Sequence, residues 1–375
     1  MKLIYIANAR IPTEKAHGVQ IVKMCEAFAR QGIDVELVLP YRINPIAQDL
    51  FEYYGVERGL FSVTTIPSID LAAWGRFGFL AHYAIYSFFA FFYLLFKKYD
   101  VLFSREYIPL VFFALFGKKS IYEMHDFPQS HLILARIVCA NVSLVVTTNS
   151  WAGKRVEDCF GIAQNKLLVR QNGVSLEDFE GLSDRELLCQ ELGIPSDVFI
   201  VLYTGHLYDW KGAHILAEAA EHLDDTYRVV FVGGHEEDIK RLRSTYPSGI
   251  TLYLGMRPHH EIPRITCAAD LAVLPNIPTN QHSLYSTSPL KLFEYMASRV
   301  PVIASDLPSI RDIVGEGEVI FVAPGDVIAL RDAIIAARSQ PDRRSRLAKA
   351  AYDRVKGYTW GERARAILHS AEIRP

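Results

Sequence analysis

Four short stretches of this chain combine residue types that can hold a phosphate or act beside one. Thr204-Gly205-His206 closes an apolar run, and Trp210-Lys211-Gly212 opens the helical pattern behind it. A lysine in a strand-to-helix loop places an ammonium where a diphosphate would lie; a solvated Lys-Gly turn would read the same. Further on stands Ser288-Pro289-Leu290-Lys291-Leu292-Phe293-Glu294. Ser288 suits an N-cap and Pro289 the first helical position. The free N–H groups of such a start, Leu290 included, can hold phosphate oxygens. Lys291 and Glu294, three apart, share a face: the lysine can neutralise phosphate and the glutamate can accept ribose hydroxyls. An ordinary surface ion pair has the same spacing. The loop Asn8–His17 ends at Gly18, which is expected to open a helix and to let a ligand approach the backbone closely; a tight turn is the alternative. Finally, His125-Asp126 ends an apolar run, where an imidazole can do polar or acid–base chemistry; a hydrogen-bonded structural histidine would read the same.

Several other chemistries are excluded or disfavoured. The Lys211 loop has the wrong order for a Walker A loop, and neither first strand-to-helix turn carries Gly-x-Gly-x-x-Gly, so NAD and FAD are disfavoured. No Asp-any-Asp motif occurs, so no metal-bridged diphosphate and no metal site are expected. With 40 Lys+Arg against 42 Asp+Glu and a formal charge of -2, the chain lacks the basic excess of a nucleic-acid binder. Cys25, Cys139, Cys159, Cys189 and Cys267 form no Cys-x-x-Cys pair and read as reduced thiols.

Positioning these residues requires two series of parallel strands. Apolar runs at Lys2–Ala7, Val35–Leu39, Val101–Ser104, Ser120–Glu123 and Ser143–Thr147 alternate with helical patterns, the first at Gly18–Gln31. After the turn at Asn172-Gly173 and a polar stretch, the pattern restarts. Runs at Phe199–Tyr203, Val229–Val232, Thr251–Leu254, Leu271–Leu274, Val302–Ala304 and Val319–Val322 form the second series. Buried strands joined by helices imply parallel sheets covered on both faces. The 375 residues, half of them hydrophobic, suffice for two such α/β domains. Asp342–Ile373 reads as one closing helix that returns to the first domain.

Residues 77–96, FGFLAHYAIYSFFAFFYLLF, contain no acid or base except His82. Length permits a membrane span, but the run falls where a crossover helix of the first sheet is expected. A helix partly sunk in a membrane interface, a buried core helix and, third, a transmembrane span are the readings kept.

Taken in order, these motifs resemble retaining glycosyltransferase family 4. Gly18, Tyr122 to Asp126, Val169 to Val174, Tyr203 to His206 with Lys211-Gly212, Phe231 to Gly234, Leu254-Gly255, Ala268 to Pro275, and Glu294 to Ala297 with Val300 to Ala304 carry the resemblance. It implies the GT-B fold: two Rossmann-like domains with parallel sheets facing across a cleft and a C-terminal helix returning to the N-domain. Expected boundaries are 1–175 for an acceptor domain, 176–357 for a nucleotide-sugar donor domain, and 358–375 for the returning helix. By resemblance His125, Lys211 and Glu294 are catalytic. Gly18, Gly205, His206, Lys211, Ser288, Leu290, Lys291 and Glu294 bind the donor, and Asp126 and Ser286 lie near donor sugar or acceptor. Ser286 stands where the family has the first of two glutamates. His206 stands where arginine is common. The implied reaction moves a sugar, with retention, from a nucleotide-diphosphate sugar to a lipid-linked or cell-surface glycan, with no cofactor. The implied location is the cytoplasm, peripheral on the inner face of the cell membrane. The alternatives are a non-catalytic nucleotide-sugar-binding subunit and a GT-B epimerase acting on UDP-N-acetylglucosamine.

Overall fold

The computed structural model describes residues 1–71, 74–115, 117–128, 131–182 and 185–373. The chain divides into two compact units, Met1–Gln171 with Trp360–Pro375, and Asn172–Thr359.

The first unit holds seven parallel strands: β1 (Lys2–Ile6), β2 (Asp34–Pro40), β3 (Ser62–Ile66), β4 (Val101–Ser104), β5 (Ser120–Met124), β6 (Leu144–Thr147) and β7 (Leu167–Val169). Their order is β3-β2-β1-β4-β5-β6-β7, with Ile4 opposite both Glu36 and Leu102. The apolar runs become strands because both sheet faces are covered. Helices α1 (Ala16–Arg30) and α2 (Leu50–Tyr54) follow β1 and β2, and α3 (Gly75–Leu95), α4 (Leu110–Leu115), α5 (Leu132–Asn141) and α6 (Ser150–Phe160) follow β3 to β6. Residues of α3 to α6 share one core with Ile4, Ile6, Val38 and Leu102. β3 and β7 have no signature in the sequence pattern; SVTTI and LLV are short, only partly buried edge strands.

The second unit has six parallel strands: β8 (Phe199–Thr204), β9 (Tyr227–Val232), β10 (Thr251–Tyr253), β11 (Leu271–Leu274), β12 (Val302–Ser305) and β13 (Ile320–Val322), in the order β10-β9-β8-β11-β12-β13. Its helices are α7 (Arg185–Leu192), α8 (Ala213–Ala220), α9 (Glu236–Thr245), α10 (Ile262–Cys267), α11 (Leu290–Ala297), α12 (Pro308–Arg311), α13 (Val327–Ser339) and α14 (Pro341–Val355). The strand order reverses between β1 and β4 and between β8 and β11. The loops after those strands diverge there and leave room for a ligand at their carboxyl ends.

The closing segment differs from the expected single helix. α14 ends at Val355, a 3-10 turn covers Lys356–Tyr358, and α15 (Trp360–Ser370) begins anew and belongs to the first unit. The helix cannot continue because the chain is extended at Thr359. There it bridges Val174 in parallel, and the Tyr358 carbonyl accepts the Val174 N–H at 3.0 Å.

Candidate active site

In the second unit the reversal point between β8 and β11 is built by two glycines. Gly205 (φ 115°) and Gly212 (φ 68°) both take conformations that favour glycine. A Cβ on Gly212 would lie 1.8 Å from the Pro275 carbonyl oxygen, so only glycine lets the Lys211 loop pack on the end of β11. The Ile277 N–H donates to the Trp210 carbonyl at 2.9 Å and fixes the same contact. A Cβ on Gly205 would lie 3.8 Å from Lys211 Nζ and 3.9 Å from Lys291 Nζ. Two ammonium groups therefore converge on one bare stretch of backbone.

Helix α11 is locked to that backbone by the residue after Glu294. The Tyr295 hydroxyl, fully buried, accepts the Thr204 N–H at 2.8 Å. One turn earlier Lys291 points at the loop. Its Nζ lies 3.9 Å from the centre of the Tyr203 ring, is buried, and has no hydrogen-bond partner among the described residues. Burial pushes its pKa well below the ordinary lysine value, nearby Lys211 pushes the same way, and Glu294 opposes both. Lys291 and Glu294 are not the surface ion pair their spacing allows. Glu294 Oε1 instead lies 2.9 Å from His259 Nε2, in the 3-10 turn after Pro258. Pairing with a residue 35 positions back has no signature in the sequence beyond the adjacent His259-His260.

Lys211 ends the 3-10 turn Asp209–Lys211, 5.4 Å from the rings of Tyr208 and Trp210. Burial lowers its pKa to about 8. The protonated form attracts an anion, and bound phosphate raises the lysine's pKa. An anion held by Lys211 would therefore be bound most tightly below about pH 8 and more weakly as the pH rises through it, by up to about tenfold per unit. Calorimetric titration with UDP, GDP and ADP between pH 7 and 9 measures this. The slope is expected to vanish in Lys211→Met.

One assignment changes. Ser288 does not cap α11: the N-cap is Pro289, with no side-chain capping bond, and the helix begins at Leu290. The Ser288 hydroxyl instead accepts the Asn172 N–H at 3.2 Å and its carbonyl accepts Asn172 Nδ2 at 2.8 Å, so this serine ties down the segment that opens the unit. The His206 side chain packs beside the same Tyr208 ring that Lys211 approaches. It is buried, stacked on Tyr208 with centroids 4.9 Å apart and 5.5 Å from His235. Ser286 is buried at the end of a π-helical turn, His282–Ser286.

In the first unit His125 directly follows β5, and Asp126 beside it is exposed. His125 Nε2 lies 3.5 Å from Glu123 Oε1. Burial, then Arg105, lowers the His125 pKa to about 4 against the pull of Glu123, so the imidazole is neutral at pH 7. Glu123 is fully buried, and Arg363 from α15 is the main charge holding its carboxyl well below the ordinary range despite the cost of burial. Gln20 donates to Glu123 at 2.9 Å and accepts from Arg105 at 2.9 Å, and Arg105 also donates to the His17 carbonyl at 3.4 Å. His17, whose pKa burial lowers to about 3, is thereby linked to the end of β5. Gln20, Arg105 and Arg363 were not apparent from the sequence, because their spacing carries no motif.

Gly18 corrects its expected reason. The helix starts earlier, at Ala16, and the Gly18 N–H already donates to the Lys15 carbonyl at 2.9 Å. A Cβ there would lie 2.1 Å from the Tyr54 hydroxyl. The missing side chain makes room for Tyr54, which pins Thr13 through bonds of 2.8 and 3.0 Å.

Fold and site together define a two-unit α/β protein of GT-B fold with two lysine ammonium groups converging at the second reversal point. Residues 184–354 match the family described as Glycosyl transferases group 1. The "Putative teichuronic acid biosynthesis glycosyltransferase TuaC" of Bacillus subtilis (strain 168) is 30% identical over 200 residues, 52% of this chain and 48% of that protein. A D-inositol 3-phosphate glycosyltransferase of Xylanimonas cellulosilytica is 27% identical over 252 residues, 64% of this chain and 59% of that protein. The chain thus spans about half to three fifths of these relatives' length. Among solved structures, Anabaena Alr3699/HepE, described in complex with UDP and glucose, superposes with a TM-score of 0.76 at 18% identity, over 99% of both chains.

Proposed function

We propose that this protein moves a sugar, with retention of configuration, from a nucleotide-diphosphate sugar to a lipid-linked or cell-surface glycan. The observation that carries the reading is the Lys291 ammonium, buried without a hydrogen-bond partner among the described residues and close with Lys211 to the Gly205 backbone. A buried cation of this kind is costly unless an anion completes it. A diphosphate matches two ammonium groups about one phosphate unit from a strand end. The description of HepE with UDP and glucose, and the naming of TuaC for teichuronic acid biosynthesis, support the donor and acceptor classes.

The reaction needs stabilisation of the departing diphosphate, which Lys211, Lys291 and the start of α11 supply as fixed positive electrostatics. With the leaving phosphate oxygen taking the acceptor proton on the same face, no protein nucleophile is required. Glu294, oriented by His259, accepts ribose hydroxyls. Neutral His125 hydrogen-bonds the sugar without repelling the positive charge that develops on it. Purified protein supplied with UDP-, GDP- and ADP-sugars is expected to hydrolyse or transfer from one of them. NMR is expected to show a product of unchanged anomeric configuration, and EDTA is expected to leave the rate intact. His125→Ala is expected to lower turnover by at least about 10²-fold with the fold retained; near-normal turnover would remove His125 from the reaction.

A second reading follows from Ser286, which puts a hydroxyl where the family's first glutamate contacts the donor sugar. A non-catalytic nucleotide-sugar-binding subunit would bind the donor and neither hydrolyse nor transfer it. The same assay separates the two.

A further inference from the structure

Helix α3 is built inside out. Its inward side chains make the polar contacts. His82, fully buried, lies 3.2 Å from Asn8 Oδ1 and 3.0 Å from the Ile69 carbonyl. The Tyr86 hydroxyl donates to the Val38 carbonyl at 3.0 Å. Outward face the apolar ones: Phe77 is 87% exposed and Phe96 85%, with Leu80, Phe88, Phe92 and Leu95 exposed between them. Only 28% of Phe77–Leu95 is buried, so the core-helix reading fails. A span across the bilayer fails too, because Tyr86, Ala90 and Leu94 are packed in the core of the sheet. The apolar surface continues onto α5, where Leu132, Ile133 and Leu134 are exposed. Phe91 of α3 contacts Phe113 of α4 at 5.6 Å, and α4 packs on α5, so the three helices form one face.

Charge decides what covers that face. The stretches 71–99, 107–122 and 127–149, which carry α3, α4 and α5, contain no Asp or Glu and six Lys or Arg, in a chain whose acids outnumber its bases. Lys97, Lys98, Lys118 and Arg136 are exposed. A second copy of this face would set like charge against like. An anionic lipid surface complements both features: aromatic and aliphatic side chains enter the boundary between headgroups and acyl chains, and the basic residues meet the headgroups. We infer that the first unit docks through α3, α4 and α5 on a bilayer containing anionic lipid, with α3 lying in the plane of the interface.

The inference stands apart from the donor chemistry, because vesicle binding is read without any donor. Full-length protein is to be sedimented with vesicles of phosphatidylcholine alone and of phosphatidylcholine with phosphatidylglycerol. Binding is expected to the mixed vesicles, to weaken in high salt, and to fall at least about tenfold in the doubly substituted Phe88→Ser, Phe92→Ser protein with its melting temperature unchanged. The doubly substituted Lys98→Glu, Lys118→Glu protein is the second variant. It keeps the apolar face and is expected to lose about five-fold per charge on the mixed vesicles alone. Protein that stays in the supernatant, that binds both vesicles equally, or that forms a dimer dissociated by Phe88→Ser overturns the inference.

Discussion

On the function proposed above, Lys291→Met will raise the stability of the ligand-free protein and weaken its response to a nucleoside diphosphate. The two effects have opposite signs because the same ammonium is a liability in one state and a contact in the other. Without ligand, Lys291 Nζ is buried and no hydrogen bond from the described residues repays its lost hydration. Methionine has nearly the same length and no charge, so the fold is expected to gain on the order of 1 kcal/mol. With a diphosphate bound, the ammonium makes charge-assisted hydrogen bonds worth about 1.5–3 kcal/mol in the ground state. Charge that accumulates on the leaving group makes the loss in turnover larger, about 10²–10³-fold. Thermal melts with and without UDP, GDP or ADP measure the first pair of effects, and initial rates measure the second. A structural lysine would give the reverse pattern: a lower melting temperature and an unaltered ligand shift. That result would remove the observation on which the proposed function rests.

The parts of this structure that were legible in the sequence are those governed by local rules. Interior strands were readable because burial on both faces makes them continuously apolar, as at Phe199–Thr204. The edge strand Ser62–Ile66 was not, because exposure lets polar residues in. The Lys211 and Lys291 positions were readable from loop and helix spacing, but their state was not. Three-residue spacing offered Lys291 a partner in Glu294, and only the packing of the turn at His259 shows that the glutamate is engaged elsewhere. Ser288 looked like a cap because a serine before a proline satisfies the local rule; the Asn172 amide, distant in sequence, competes for the same oxygen. The run 77–96 gave no periodicity because it is apolar on every side, and a helix without a polar stripe does not reveal which face is inward. The sheet resolved that by claiming Tyr86, Ala90 and Leu94.

Arg363→Met will cost the first unit about 3–5 kcal/mol, the characteristic loss when one partner of a buried ion pair is removed. For a unit of this size that is roughly a 10 °C fall in melting temperature. The argument begins at Glu123, which has no exposed surface and accepts from Gln20 at 2.9 and 3.1 Å. Arg363, 2% exposed, pairs with that carboxylate, donates to the Gln171 carbonyl at 2.9 Å, and lies 3.5 Å from Met24 Sδ. One guanidinium thus joins α15, α1, the end of β7 and the strand that delivers His125. The pH dependence checks the assignment. Arg363 holds the folded-state pKa of Glu123 below its unfolded value, so the stability it contributes is fully present above the unfolded value near 4.3 and is lost as the pH falls. In Arg363→Met that charge no longer offsets burial and the Glu123 pKa rises, so the difference between wild type and variant should be largest at high pH and shrink as the pH falls into the acid range. Pairing the change with Glu123→Gln should recover much of the loss, since it removes the charge left unpaired. If Arg363→Met melts like the wild type, or the double substitution is no better than the single one, the ion pair does not hold the first unit, and the placement of His125 must come from the strand alone.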